Sequence, residues 1–237
     1  IIPDIAPYPV SHDNLRNTSD SWETIFHFPV SDISSGAETD GDYIYVSGWY
    51  IPDIRKFDEQ GNLIEEFTLD GIDGVKDMAY DGQYFYGGNS DGTNKLFVMD
   101  FNNQVLVNSI QMPFKVRAIA YNHDLNVFYA NDWSDDIKVF TADGTVLDTI
   151  TLDTYGSYYG FAYDNWSDGG PYLWGFSHDG PSIATLVQLE LPSGEETGFI
   201  LDLSYLELES RSYAGGLFTH PEGEGGSSLP RAETQKS

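Results

Sequence analysis

The chain has no cysteine, which excludes disulfide staples, thiolate nucleophiles and Cys-ligated zinc and leaves the redox compartment open. Basic residues are scarce as well: eleven Lys and Arg stand against 38 Asp and Glu, a formal net charge of −27. A nucleic-acid binder must neutralise phosphates with Lys and Arg, so no nucleic-acid partner is expected. Attraction to an anionic membrane surface is disfavoured on the same ground. No apolar run approaches the roughly 18 residues of a spanning helix, so no membrane insertion is expected either. The first residues, IIPDIAPYPV, carry neither an initiator Met nor a basic leader region, and read as the start of a processed chain or of a piece of a longer one. Clean helical spacing is missing throughout.

What the chain has is aromatic residues and turn formers. Sixteen Tyr, fourteen Phe and five Trp, with 24 Gly, favour strands over helices and point to an all-β fold. The stretch from Val75 to Met112 is the clearest unit. A strand ending Met78-Ala79-Tyr80 meets an Asp81-Gly82 turn, a second strand runs Gln83 to Tyr86, and a polar loop from Gly87 to Asn94 follows. A third strand, Lys95 to Met99, and a fourth, Val105 to Met112, complete a four-stranded meander of propeller-blade length. Copies of it fill the chain. The landmarks Thr39, Tyr80, Tyr121 and Tyr163 are separated by 41, 41 and 42 residues, a spacing expected of blades and not of unrelated hairpins.

The pattern predicts a β-propeller with a repeat of about 41 residues: four complete blades plus a partial closing blade, either five-bladed or truncated, with truncation preferred. Residues 1–21 read as an extended lead-in, 22–219 as the propeller and 220–237 as a tail or linker. The leftover pieces are Trp22 to Phe28, an orphan fourth strand, and Tyr213 to Thr219, an orphan first strand. Propellers often close by joining both chain ends in one blade, which covers edges that would otherwise pair with other chains.

The blade motifs A-Y-D-G-x-Y-F-Y at Ala79 to Tyr86, their echoes at Ala120 to Tyr129 and Ala162 to Tyr172, and F-D-x-x-G at Phe57 to Gly61 resemble bacterial propellers of the NHL and YVTN type. That resemblance implies a secreted or cell-surface protein. It brings no catalytic residues, since the motifs specify a blade and not an activity. The G-H…W-D pair of WD40 repeats and the S-x-D-x-G-x-T-W box of sialidase-like propellers are both missing.

In a propeller the loops from strand four to the next strand one, and from strand two to strand three, share the face where ligands usually bind. That face is expected to carry Trp49, Tyr50, Asp53, Lys76, Asn89, Asp91, Arg117, Asp132, Trp133, Asp135, Tyr159 and His178 as ligand-binding residues, with Asp136, Phe176 and Lys115 nearby. Exposed indoles beside Asp and Asn suit sugars, because a ring covers the apolar face of a pyranose while oxygens bond its hydroxyls; the plain alternative is packing between blades. Lys76 and Arg117 recur at one place in consecutive repeats and suit a carboxylate or phosphate; the plain alternative is charge compensation by Asp73 and Asp77.

Asp70 to Gly74, Asn89 to Gly92 and Asp164 to Gly169 offer hard oxygens for calcium, but Asp-Gly also makes metal-free turns, so no cofactor is expected and calcium is kept as the alternative. A nucleophile elbow and an H-E-x-x-H motif are lacking. The preferred function is a non-catalytic extracellular recognition or scaffold module in a larger polypeptide, with a protein or glycan ligand. The alternative is a propeller hydrolase or lyase, lactonase-like or glycan-cleaving, using acids or a metal at the channel mouth. A third reading is lateral assembly through unclosed edges. Because the copies share their strand cores, function is expected where they differ, which in the second copy means Lys76, Asp77 and the loop Asn89 to Asn94.

Overall fold

The computed structural model describes residues 28–30, 33–152, 157–178, 184–203 and 215–220. They form four four-stranded antiparallel sheets, each a meander in sequence order, set in a ring as the blades of a β-propeller. The first blade is β1 (Ser34–Thr39), β2 (Ile44–Gly48), β3 (Asp53–Phe57) and β4 (Leu63–Thr68). The second is β5 (Val75–Tyr80), β6 (Phe85–Asn89), β7 (Lys95–Asp100) and β8 (Val105–Gln111). In the third, β9 (Ala118–Asn122), β10 (Val127–Asn131), β11 (Ile137–Phe140) and β12 (Val146–Ile150) follow. The fourth is β13 (Tyr158–Asp164), β14 (Tyr172–His178), β15 (Ala184–Glu190) and β16 (Glu196–Asp202).

Burial follows position in the blade. Strands β1, β5, β9 and β13 are innermost and pack successively against one another, whereas β4, β8 and β12 expose most of their residues. The core is therefore a series of apolar layers between adjacent blades. One unites Tyr45, Ile54 and Phe67 of the first blade with Met78, Phe85 and Phe97 of the second. The aromatic excess goes here: Phe85 stacks on Phe101 at 4.1 Å and Phe128 on Phe140 at 5.3 Å.

Each inner hairpin turns on the same device. The side-chain oxygen of the residue opening the turn accepts two backbone N–H groups, replacing ladder bonds that the reversing chain cannot make. Asp40 Oδ1 accepts from Asp42 and Tyr43, Asp81 from Gln83 and Tyr84, Asn122 from Asp124 and Leu125, and Asp164 from Trp166 and Ser167. Many acids of this sequence are thus turn residues. In the Asp164 to Gly169 run, Asp164 Oδ2 also accepts from the Trp174 indole at 2.9 Å, so both its oxygens serve the turn.

Two expectations on strand ends change. The second strand of the second blade continues through Gly87, Gly88 and Asn89 instead of yielding to a loop at Gly87. Likewise β14 extends to His178, which puts Phe176 in the core, 1% exposed, and not in a binding loop. In both places neighbouring strands supply pairing that the composition of the segment does not announce.

Residues 215–220 fill the interval between β13 and β1. Gly216 N–H donates to the Ser35 carbonyl at 2.7 Å, and the Thr219 hydroxyl donates to the Tyr163 carbonyl. Leu217 joins the apolar cluster of the fourth blade, while Phe218 joins that of the first together with Phe28 and Val30. The expected pairing of Trp22 to Phe28 with Tyr213 to Thr219 lies largely outside the described residues. What is visible is a four-bladed ring in which 215–220, which form no strand, run between β13 and β1, so the inner edges of these strands do not face an empty gap.

Glycines make this close approach feasible. A Cβ on Gly160 would lie 2.7 Å from the Leu217 nitrogen, and one on Gly216 2.7 Å from Asp77 Oδ1. Gly160→Val is expected to lower stability by about 1–3 kcal/mol through overpacking, read as a lower urea midpoint. An unchanged midpoint would show that 215–220 does not hold the ring closed.

Candidate functional site at the upper channel mouth

Laying the four inner strands over one another at the repeat spacing aligns Ser35, Lys76, Arg117 and Tyr159 at the upper mouth. One step further in, Gly36, Asp77, Ala118 and Gly160 share a level. The pairing register of β1, β5 and β13 breaks between Ser34 and Ala37, Val75 and Met78, and Tyr158 and Gly160. Irregularities of this kind re-aim side chains away from strict alternation, and they fall at these two levels.

Lys76 is 3% exposed. Its ammonium sits 3.0 Å from the ring centroid of Trp49 and 4.6 Å from that of Tyr50, contacts in which the ring face attracts a cation. Among the described residues no carboxylate stands within ion-pair distance of it. Burial, and secondarily the Arg117 guanidinium, push its pKa down to about 7. The compensation by Asp77 expected from sequence is not found. Asp77 turns into the channel, where its Oδ2 accepts the backbone N–H groups of Ile119 at 2.8 Å and Phe161 at 3.1 Å.

Arg117 lies 4.9 Å from the Trp133 ring centroid and pairs with Asp132 at 3.2 Å. Lys115 reaches the other oxygen of the same carboxylate at 3.9 Å. Trp133 is held with φ at 58°, a left-handed conformation that is costly for a bulky residue. Its carbonyl accepts from Asn131 Nδ2 at 2.8 Å and from Tyr158 N–H at 3.1 Å, which fixes the loop, and its ring lies 5.8 Å from that of Tyr159.

Trp49, Tyr50, Lys76, Arg117, Asp132, Trp133 and Tyr159 are therefore brought together across the four blades. The other expected site residues are placed differently. Asp53 opens β3 and bonds Arg55 at 3.4 Å. Asn89 is buried at the end of β6 and spends its side chain on Thr93 Oγ1 and the Asp91 N–H. Asp91 accepts the Thr93 N–H, Asp135 is exposed, and Asp136 accepts the Leu152 N–H. His178 ends β14, and its side chain and Asp179 lie outside the described residues. The acids of this face consequently do not converge on one point. Among the described residues no group of three His, Asp or Glu side chains is arranged to hold a metal ion.

Chemically, Lys76, Arg117 and Lys115 gather at this mouth beside one carboxylate, Asp132, which Arg117 and Lys115 share, in a chain whose charge is otherwise strongly negative. Lys76 and Arg117 each cover one face of an indole, which leaves less ring surface for stacking a pyranose than the sequence led one to expect. The arrangement suits an incoming anion, whose charge would meet an ammonium that no carboxylate pairs with among the described residues.

No protein-family model matches the chain, and no curated protein matches it in sequence. In fold it is similar to the glutaminyl cyclase of Myxococcus xanthus, with a TM-score of 0.68 at 12% identity and 86% of each chain covered. The hydrazine synthase of Kuenenia stuttgartiensis aligns at a TM-score of 0.49 and 15% identity, over 77% of this chain and 53% of that one. The first likeness supports the propeller architecture alone.

Lys76→Met tests whether the ammonium is kept at a cost to stability. An unfolded lysine titrates near 10.4 and the folded one near 7, so between these values the unfolded chain holds the extra proton and the native protein gains stability as pH rises. The variant is expected to show the higher urea midpoint at pH 6, with the gap closing toward pH 10. A lower midpoint for the variant at pH 6 would contradict this.

Proposed function

We propose that the protein is a non-catalytic recognition module, secreted or displayed at a cell surface, that binds a carboxylate-bearing ligand at the upper mouth of its propeller. The observation that carries this reading is that Lys76 on β5 and Arg117, just before β9, stand at the same level of adjacent blades, with one carboxylate, Asp132, shared by Arg117 and Lys115. A bound carboxylate would accept from both cations, with Tyr50 and Tyr159 bordering the site. The overall charge of −27 disfavours a polyanion. A single carboxylate suits the site better, as in a uronate unit of a glycan or the end of a peptide chain. Secretion rests on the resemblance to NHL- and YVTN-type propellers.

Titration calorimetry with glucuronate, and with an acetylated dipeptide bearing a free C-terminus, is the direct test. Saturable binding is expected for at least one of them, weakened at least tenfold in Lys76→Met and Arg117→Met. Because the anion binds the protonated amine, affinity should fall by up to about tenfold per pH unit above about pH 7. Binding that is independent of pH and of Lys76 would overturn the proposal.

A catalytic reading is favoured by one feature, an amine whose pKa is pushed down to about 7, which can accept a proton near neutrality. The similar fold of a glutaminyl cyclase makes cyclisation of glutaminyl peptides the first activity to assay. Turnover lost in Lys76→Met would support catalysis over simple recognition.

A further inference from the structure

The other end of the channel carries a cavity of about 290 Å³ that opens on the lower face, where the inner hairpins turn. That is close to the lower end of the range of small-molecule sites. Its composition is the reverse of the upper mouth. Among the described residues lining it are Glu38, Tyr80, Tyr121, His123, Tyr163 and Trp166, and no Lys or Arg is among them.

Glu38 is the feature that sets this end apart. The repeat alignment puts Glu38 level with Ala79, Ala120 and Ala162, so three blades offer a methyl where the first offers a carboxyl. Ala120 and Ala162 line the cavity, and their small size leaves the space into which Glu38 reaches. The backbone N–H groups of Thr39, at 2.8 Å, and Tyr80 donate to its carboxyl. Nothing cationic among the described residues pairs with it.

The remaining polar groups are largely occupied. Tyr121 donates to Asn126 Oδ1 at 3.1 Å and Tyr163 to Asp124 Oδ2 at 2.7 Å. Asp40 holds its hairpin turn with one oxygen and the Tyr45 hydroxyl with the other. Burial keeps His123 below its ordinary pKa and therefore neutral near pH 7, and His220 reaches Glu59 at 3.8 Å. What the cavity presents to a ligand is thus one carboxyl set among aromatic rings.

We propose that this lower cavity is a binding site for a small organic ammonium ion, with Glu38 as its counter-charge and Tyr80, Tyr121, Tyr163 and Trp166 as an aromatic cage. Ring faces attract cations, and cages of this kind are a recurrent way of holding alkylated ammonium groups. The carboxyl supplies what rings alone do not, a full opposite charge in a partly desolvated place. Burial, opposed in part by the Thr39 and Tyr80 N–H groups, pushes the Glu38 pKa up to about 8. A bound cation would hold the carboxylate ionised. The strongly negative surface would also concentrate cations near this opening.

The test is titration calorimetry of the intact chain with choline and with its neutral isostere 3,3-dimethylbutan-1-ol. Choline is expected to bind saturably at one site, and the isostere at least tenfold more weakly. Glu38→Gln should weaken choline at least tenfold, while Lys76→Met should leave it unchanged. The isostere comparison uses the unmodified chain, so it decides the matter even if a variant fails to fold. Absence of saturable choline binding, or equal binding of the isostere, would overturn the proposal. So would binding that survives Glu38→Gln but is lost in Trp49→Ala, since the ammonium would then sit at the other mouth.

Discussion

The carboxyl of Asp77 is the point at which the blades meet. It projects from β5 into the channel and accepts N–H groups from β9 and β13, so one side chain ties the inner strands of three blades together. The residues at its level in the other blades are Gly36, Ala118 and Gly160, and Gly216 of the closing segment lies against it. A second large side chain at this level would have no room. Burial pushes the Asp77 pKa well above the usual carboxylate range, against the pull of its N–H donors, and its Oδ2 works as a hydrogen-bonding plug. Without it, two buried backbone donors would lose their acceptor.

This plug divides the channel into two ends of opposite character. Above it, Lys76 and Arg117 stand in an aromatic setting with a local surplus of positive charge; below it, Glu38 stands among phenol rings and an indole. Both ends arise by the same route. A repeat whose strand cores and turns are nearly interchangeable varies at channel positions: the upper level carries Ser35, Lys76, Arg117 and Tyr159, while Asp77 and Glu38 each stand alone where the other copies keep Gly or Ala. The acidic composition has a separate origin in good part, because Asp recurs as the turn residue that satisfies two backbone donors at once.

Much of this was legible in the residues. The 41-residue period and the recurring Asp or Asn before each hairpin turn locate four blades, because turn chemistry and strand alternation are local properties. The cluster at the upper mouth was legible too, since Lys76 and Arg117 recur at one repeat position. Strand ends were less so: Gly87 and Gly88 read as loop by composition, yet they pair in β6 because neighbouring strands approach closely there. Asp77 reads in the sequence as one of the acids that offset Lys76, whereas its hydrogen bonds are to strands 42 and 84 residues away. Glu38 carries one signal in the sequence, its alignment with three alanines. Asn89, Asp91 and Asp53 looked like ligand groups because short polar residues in loops serve turns and sites alike.

The most direct measurement of this account is equilibrium urea unfolding of Asp77→Asn beside Asp77→Ala at neutral pH. An asparagine keeps an oxygen for the Ile119 and Phe161 N–H groups and removes the ionisable group. Asp77→Asn should therefore be at least as stable as the unmodified chain. Asp77→Ala should lose about 2–4 kcal/mol, the consequence of leaving two buried donors without an acceptor. Equal loss in both variants, or no loss in Asp77→Ala, would contradict the claim that a hydrogen-bonding plug at Asp77 holds the inner strands together.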